Sequence, residues 1–127
     1  MLRPLCLSIA MLTLALAPAT DPNEVLRTAG DTYASLKATK AQTIILHKIE
    51  DKFGSTLAKL RKENPSDYLI KRDALNDKFT REFMAAMTPI QKSAYRKVVR
   101  SLRQGFIKTH PDVDADNIFI WGGANLL

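Results

Sequence analysis

The sequence predicts an all-α fold, with a short leading helix, three long amphipathic antiparallel helices joined by tight turns, and an irregular C-terminal tail. Three observations predict it. Apolar residues recur at steps of three and four between residues 40 and 107. Two Thr-x-x-Gln capping boxes open long runs of that period. Nothing between 20 and 110 alternates as a half-buried strand does.

Ahead of the helices stands a stretch with the build of a leader. Met1-Leu2-Arg3-Pro4 is a brief positive start, Leu5 to Leu16 is an uncharged apolar run, and Ala17-Pro18-Ala19 fits the small-x-small cleavage rule. Residues 1–19 are therefore read as a signal peptide cut after Ala19, with a periplasmic or secreted destination. The apolar run has 12 residues, short of the roughly twenty a helix needs to span a bilayer, so no stable membrane span is expected after processing. Cys6 leaves with the leader, and a thiol-free chain gains no disulfide from an oxidising compartment. The remainder divides into a helical domain, 20–110, and a tail, 111–127. So small a core makes a lone monomer marginal, and a homodimer would help it.

Asp21-Pro22-Asn23-Glu24 has the order of a helix start: an acceptor, Pro at the first position and Glu at the third. The helix expected from it carries Val25, Leu26, Ala29, Tyr33 and Leu36 on one side, weakened by about 1 kcal/mol at Gly30. Thr39-Lys40-Ala41-Gln42 is the next cap. It opens a run of Ile45, Leu46, Ile49, Phe53, Leu57 and Leu60 with charges opposite, bent near Gly54-Ser55 and stopped where Asn64 precedes Pro65.

The following helix, 66–86, aligns Tyr68, Leu75, Phe79, Phe83 and Ala86, with Asp77–Arg81 and Lys78–Glu82 spaced as ion pairs. Thr88-Pro89-Ile90-Gln91 opens the last long helix, 89–107, in which Ala94, Tyr95, Val98, Val99, Leu102 and Phe106 share the apolar side. His110-Pro111 ends it. In the tail, the apolar tetrad Ile118-Phe119-Ile120-Trp121 suits a short strand or a flap laid on the helices.

The charge balance excludes some functions. Of 19 Lys and Arg, all but Arg3 follow the leader, leaving 18 against 13 Asp and Glu, a formal +5. That excess favours anionic surfaces and acidic partners. No nucleic acid is expected, because the chain is read as exported and carries no RNP, zinc-finger or phosphate-loop pattern. No catalytic Ser/His/Asp or Cys/His set can be nominated, so no enzyme is expected. His47 and His110 stand apart without Cys, a poor zinc set. Asp112, Asp114 and Asp116 imitate the start of a calcium loop, but Asn117 occupies the Gly position and Gly123 the place of the bidentate Glu. Neither metal nor cofactor is expected.

Ala38-Thr39-Lys40-Ala41-Gln42 and Met87-Thr88-Pro89-Ile90-Gln91 resemble the paired motifs of the periplasmic LTxxQ family of Spy and CpxP, over residues 36–107. The matching positions are Thr39, Gln42, Thr88 and Gln91, while Ala38 and Met87 stand where the family has Leu. The resemblance implies a small exported helical protein without a catalytic centre that dimerises into a curved cradle. Spy-like members are ATP-independent chaperones, CpxP-like members restrain an envelope-stress sensor kinase, and zinc-responsive relatives bind metal.

The surface expected to bind clients is on the last long helix. Lys92, Arg96, Arg100 and Arg103 form a stripe beside the apolar arc, to which Val99 and Phe106 belong. Unfolded or stress-related proteins would be steered in by charge and held by apolar contact. The alternative function is a secreted carrier of a fatty acid or similar apolar ligand, its cavity lined by Phe53, Phe79, Phe83, Phe106 and the tail.

Overall fold

The computed structural model describes residues 24, 25 and 29–127, and the expected leader with Cys6 lies outside them. The chain runs β1 (Glu24–Val25), α1 (Ala29–Leu36), α2 (Lys40–Glu63), α3 (Tyr68–Ala85), α4 (Pro89–Thr109), a 3-10 turn (Ala115–Asn117) and β2 (Phe119–Ile120). The protein is all-α, and its two strands form only a short parallel pair, with Glu24 opposite Phe119 and Val25 opposite Ile120. Among the described residues no helix is long and apolar enough to cross a membrane.

Both Thr-x-x-Gln stretches close as capping boxes. The Thr39 hydroxyl accepts from the Gln42 N–H at 3.1 Å, and the Thr39 N–H donates to Gln42 Oε1 at 3.3 Å. The second box has the same bonds, at 3.2 Å from Gln91 N–H to Thr88 and 3.0 Å from Thr88 N–H to Gln91. Orphan N–H groups at both helix starts are thereby satisfied. α2 runs unbroken through Gly54-Ser55 and ends at Asn64, whose left-handed backbone (φ 44°) directs its N–H to Leu60 O.

The leading helix begins later than the sequence suggests. Glu24 does not cap a helix; together with Val25 it is extended, and helix starts only at Ala29. Long-range contacts override the local signal here. Val25 O accepts from the Trp121 N–H at 3.1 Å, while the buried Glu24 carboxylate meets Arg72 Nη1 at 2.9 Å, Tyr68 OH at 3.4 Å and Arg61 Nη2. The Arg72 guanidinium in turn lies 3.8 Å over the Phe119 ring, so one carboxylate ties β1 to α2, α3 and the tail.

The tail adds Trp121 to the core's aromatic cluster. Trp121 lies flat on Phe79, 4.6 Å between centroids and 4° between planes, and Phe79 in turn touches Phe53 and Phe83. Its backbone is received by α3 and α4: Asn76 accepts from the Gly122 N–H at 2.7 Å and donates to Ile120 O at 3.2 Å, and Tyr95 OH donates to Gly122 O at 2.8 Å. Gly122 needs its positive φ of 79° to make that turn. The tail is thus a built-in part of the core.

The expected ion pairs along α3 are not formed. Glu82 reaches across to Lys52 on α2 at 2.9 Å, and Asp77 accepts from Asn125 of the tail at 3.3 Å. α2 packs chiefly on α3, and α1 on α4.

Candidate functional site

The two caps are bound to each other. Gln42 Nε2 donates to Gln91 Oε1 at 2.5 Å, and Gln91 Nε2 donates back to Gln42 Oε1 at 2.9 Å. Each amide also donates to the turn leading into the other helix, Gln42 to Ala86 O at 2.9 Å and Gln91 to Leu36 O at 3.2 Å. Thr39, Gln42, Thr88 and Gln91 therefore form one half-buried junction at which α1, α2, α3 and α4 all begin or end. The junction is structural and leaves no donor aimed at a ligand.

It also relates the chain's two halves. A shift of 49 residues carries Thr39 onto Thr88 and α2 onto α4, and it carries α1 onto the C-terminal part of α3. The contacts follow the same rule, since α3 covers α2 and α1 covers α4. The halves differ in their covering helices: α3 has 18 residues and α1 only 8. The shorter helix covers less of its partner.

An open groove of about 800 Å³ results on one flank of α4. Ala94, Lys97, Val98, Ser101, Leu102, Gly105 and Phe106 form its long wall, with Ser35 of α1 and Val25 of β1 opposite. The lining is mainly apolar, and Lys97 is its one charged side chain among the described residues.

A smaller hollow of about 310 Å³ lies on the other flank. Lys92 and Arg96 of α4 meet Arg81, Thr80 and Asp77 of α3 there, over Met84 and Leu126.

The stripe of residues expected to bind clients is consequently divided. Phe106 lines the groove, Lys92 and Arg96 line the hollow, and Arg100 is exposed on the outer face. Arg103 is occupied, donating to Ala115 O at 2.8 Å. Val99 is not available to a client: it is fully buried beneath the tail, its Cγ1 only 3.1 Å from where a Cβ on Gly123 would stand. Phe53, Phe79 and Phe83, expected to line a carrier cavity, are buried and packed on one another and on Trp121.

Searches of family models, curated proteins and solved structures return no match to this chain. The site therefore rests on its own geometry.

His47 packs edge-on against Tyr33, 4.6 Å between centroids, and Tyr33 OH donates to Glu50. His110 stacks on Phe106 at 4.0 Å and ends α4 with its N–H to Phe106 O. Asp114 caps the 3-10 turn by accepting from Asp116 N–H and from Asn117 Nδ2. Among the described residues no three metal-ligating side chains come together.

Three residues of the two flanks carried no signal in the sequence. Lys97 and Gly105 fall between the apolar steps of α4, and Arg81 sits in an i,i+4 relation to Asp77 that suggests a solvated pair.

Proposed function

We propose that this is an exported, non-catalytic helical protein that binds partly unfolded or stress-related polypeptides, a chaperone or envelope-stress regulator of the Spy/CpxP kind. The observation that carries the reading is the open apolar groove along α4, with Lys97 inside it and Arg100 on the outer exposed face. Half-exposed Val98, Leu102 and Phe106 offer contiguous apolar area of the sort that marks interaction sites. The surrounding cations would draw acidic clients in and speed encounter more than they slow departure. The leader-like residues 1–19 and the paired Thr-x-x-Gln caps support the periplasmic assignment.

The groove suits a polypeptide better than a lipid. It is open, and Phe53, Phe79 and Phe83, three of the four phenylalanines expected to enclose a ligand, fill the core instead, leaving Phe106 alone in the groove. Enclosed cavities bury most of a small ligand's surface.

The test is suppression of aggregation of a denatured substrate protein. Light scattering is expected to fall as this protein is raised to a several-fold excess, and the association rate with the substrate to fall as salt is added. Unchanged scattering together with no binding to any denatured substrate in a pull-down would remove the proposal.

A further inference from the structure

We propose that the hollow between α3 and α4, on the flank opposite the groove, is a binding site for a phosphate monoester bearing a small apolar group. The site goes beyond the polypeptide-binding reading and does not depend on it.

Charge carries the argument first. Arg81 of α3 and Lys92 and Arg96 of α4 line the hollow, and none of the three makes a hydrogen bond or ion pair among the described residues. Helical spacing would pair Arg81 with Asp77, four residues earlier. The tail takes that carboxylate instead: Asn125, held at a left-handed φ of 58°, donates from Nδ2 to Asp77 Oδ1 at 3.3 Å. Three cations against the one carboxylate of the described lining leave an excess of two positive charges in about 310 Å³. Like charges gathered in a concave site reinforce one another's field. A phosphate monoester, with a charge of about −1.5 to −2 at pH 7, balances the excess where a single carboxylate does not.

The donors suit the same group. Thr80 is 4% exposed; its hydroxyl oxygen accepts from the Ala124 N–H at 3.3 Å, and its own O–H has no acceptor among the described residues. One neutral donor therefore stands in the wall beside two guanidinium forks and an ammonium, and phosphate oxygens accept from all three kinds. Beneath them, buried Met84 and half-buried Leu126 give the hollow an apolar floor. That floor receives the ester group. The volume lies at the low end of small-molecule sites, roughly 300–1,000 Å³, so the group is a ring or a short chain.

The experiment titrates the full chain, isotope-labelled for NMR, at pH 8 with phenyl phosphate, inorganic phosphate and benzenesulfonate. Phenyl phosphate is expected to shift the amides of Thr80, Lys92, Arg96 and Ala124. It should bind about tenfold tighter than benzenesulfonate, which has the same ring and three oxygens but one negative charge, and tighter than inorganic phosphate, which has no ring. Lys92→Gln and Arg96→Gln should each weaken it by about tenfold at an unchanged melting temperature, since neither side chain makes a hydrogen bond or ion pair within the described residues. Lys59→Gln makes the same change of charge on the exposed side of α2 and should keep the parental affinity.

A soluble organic phosphate and the headgroup of phosphatidic acid both carry this dianionic ester. Sedimentation with phosphatidylcholine vesicles containing phosphatidic acid distinguishes them. Retention lost in Arg96→Gln and kept in Lys59→Gln assigns the headgroup, whereas retention that is absent or indifferent to Arg96→Gln assigns the soluble ester. Inorganic phosphate binding as tightly as phenyl phosphate would overturn the apolar part of the assignment. Equal affinity of Arg96→Gln and the parent for phenyl phosphate, no preference over benzenesulfonate, or shifts confined to Ser101, Leu102 and Phe106 would overturn the site and leave the polypeptide groove untouched.

Discussion

The side-chain amides of Gln42 and Gln91 face each other across the molecule, each donating to the other while each also closes its own helix cap. One pair of side chains thus sets the start of α2, the start of α4 and the angle between the two halves. Since a net hydrogen bond contributes about 1 kcal/mol and each amide makes several, Gln42→Ala and Gln91→Ala should each cost about 2 kcal/mol. A double-mutant cycle by urea denaturation should show coupling of about 1 kcal/mol between them. Gln91→Glu separates the two roles, for it keeps the acceptor for Thr88 N–H but loses the donor to Leu36 O and Gln42. It is expected to be nearly as destabilising as Gln91→Ala; near-parental stability would mean that the cap alone matters.

The tail is predicted to hold α3 and α4 together. Asn76→Ala leaves the Gly122 N–H without its partner and the Ile120 carbonyl with only the Gly123 N–H, and should cost about 2 to 3 kcal/mol. Trp121→Ala removes a ring stacked on Phe79 and should cost about 3 to 5 kcal/mol. Trp121 is the only tryptophan, so its fluorescence reports the tail directly. In Asn76→Ala its emission should move to the red at lower denaturant concentration than in the parent.

Much of this fold follows from local chemistry, and the parts that do not are long-range. The boxes at Thr39 and Thr88 and the apolar steps of α2, α3 and α4 are legible because a helix start and a buried stripe are satisfied by residues three or four positions away. That the two Gln residues find each other is invisible, since their separation of 49 residues leaves no periodic trace. Val98 and Val99 look alike in the helical period; the tail seals Val99, while Val98 lines the groove. Glu24 carries the pattern of a cap residue, yet two arginines from helices far along the chain hold it in a strand. The proposed client stripe was divided for the same reason, because a stripe read from one helix ignores what other segments cover.

Glu24 is predicted to be the weakest point at which to alter the N-terminal strand. Its side chain is fully buried between Arg61 and Arg72, so Glu24→Gln takes the anion from Arg61 and leaves Arg72 with the exposed Asp73, and should cost about 3 kcal/mol by chemical denaturation. Replacing Arg61 by Met in the Glu24→Gln background removes one of those cations and should recover part of the loss. If Glu24→Gln unfolds at the parental midpoint, the strand pair is not held by this carboxylate.

Gly123 lies where the tail crosses α4. A Cβ there would come within 3.1 Å of both Ile120 Cβ and Val99 Cγ1. Gly123→Ala should therefore loosen the tail and cost about 1 to 3 kcal/mol, as overpacking does. In contrast, Gly105→Ala meets open space and should stabilise the protein by about 1 kcal/mol. Thermal melts of the two single variants check the opposite signs.

Whether polypeptides bind along the α4 groove is tested most directly by site-specific photocrosslinking. In a Cys6→Ser background the chain has no other cysteine, so Ser101→Cys in the groove wall and Lys59→Cys on the exposed side of α2 each take one benzophenone label. With a denatured substrate protein under illumination, the label at 101 should form covalent adducts and the label at 59 should form few or none. Adducts from 59 as abundant as those from 101, or none from 101 with a substrate that the unlabelled protein retains, would contradict the account.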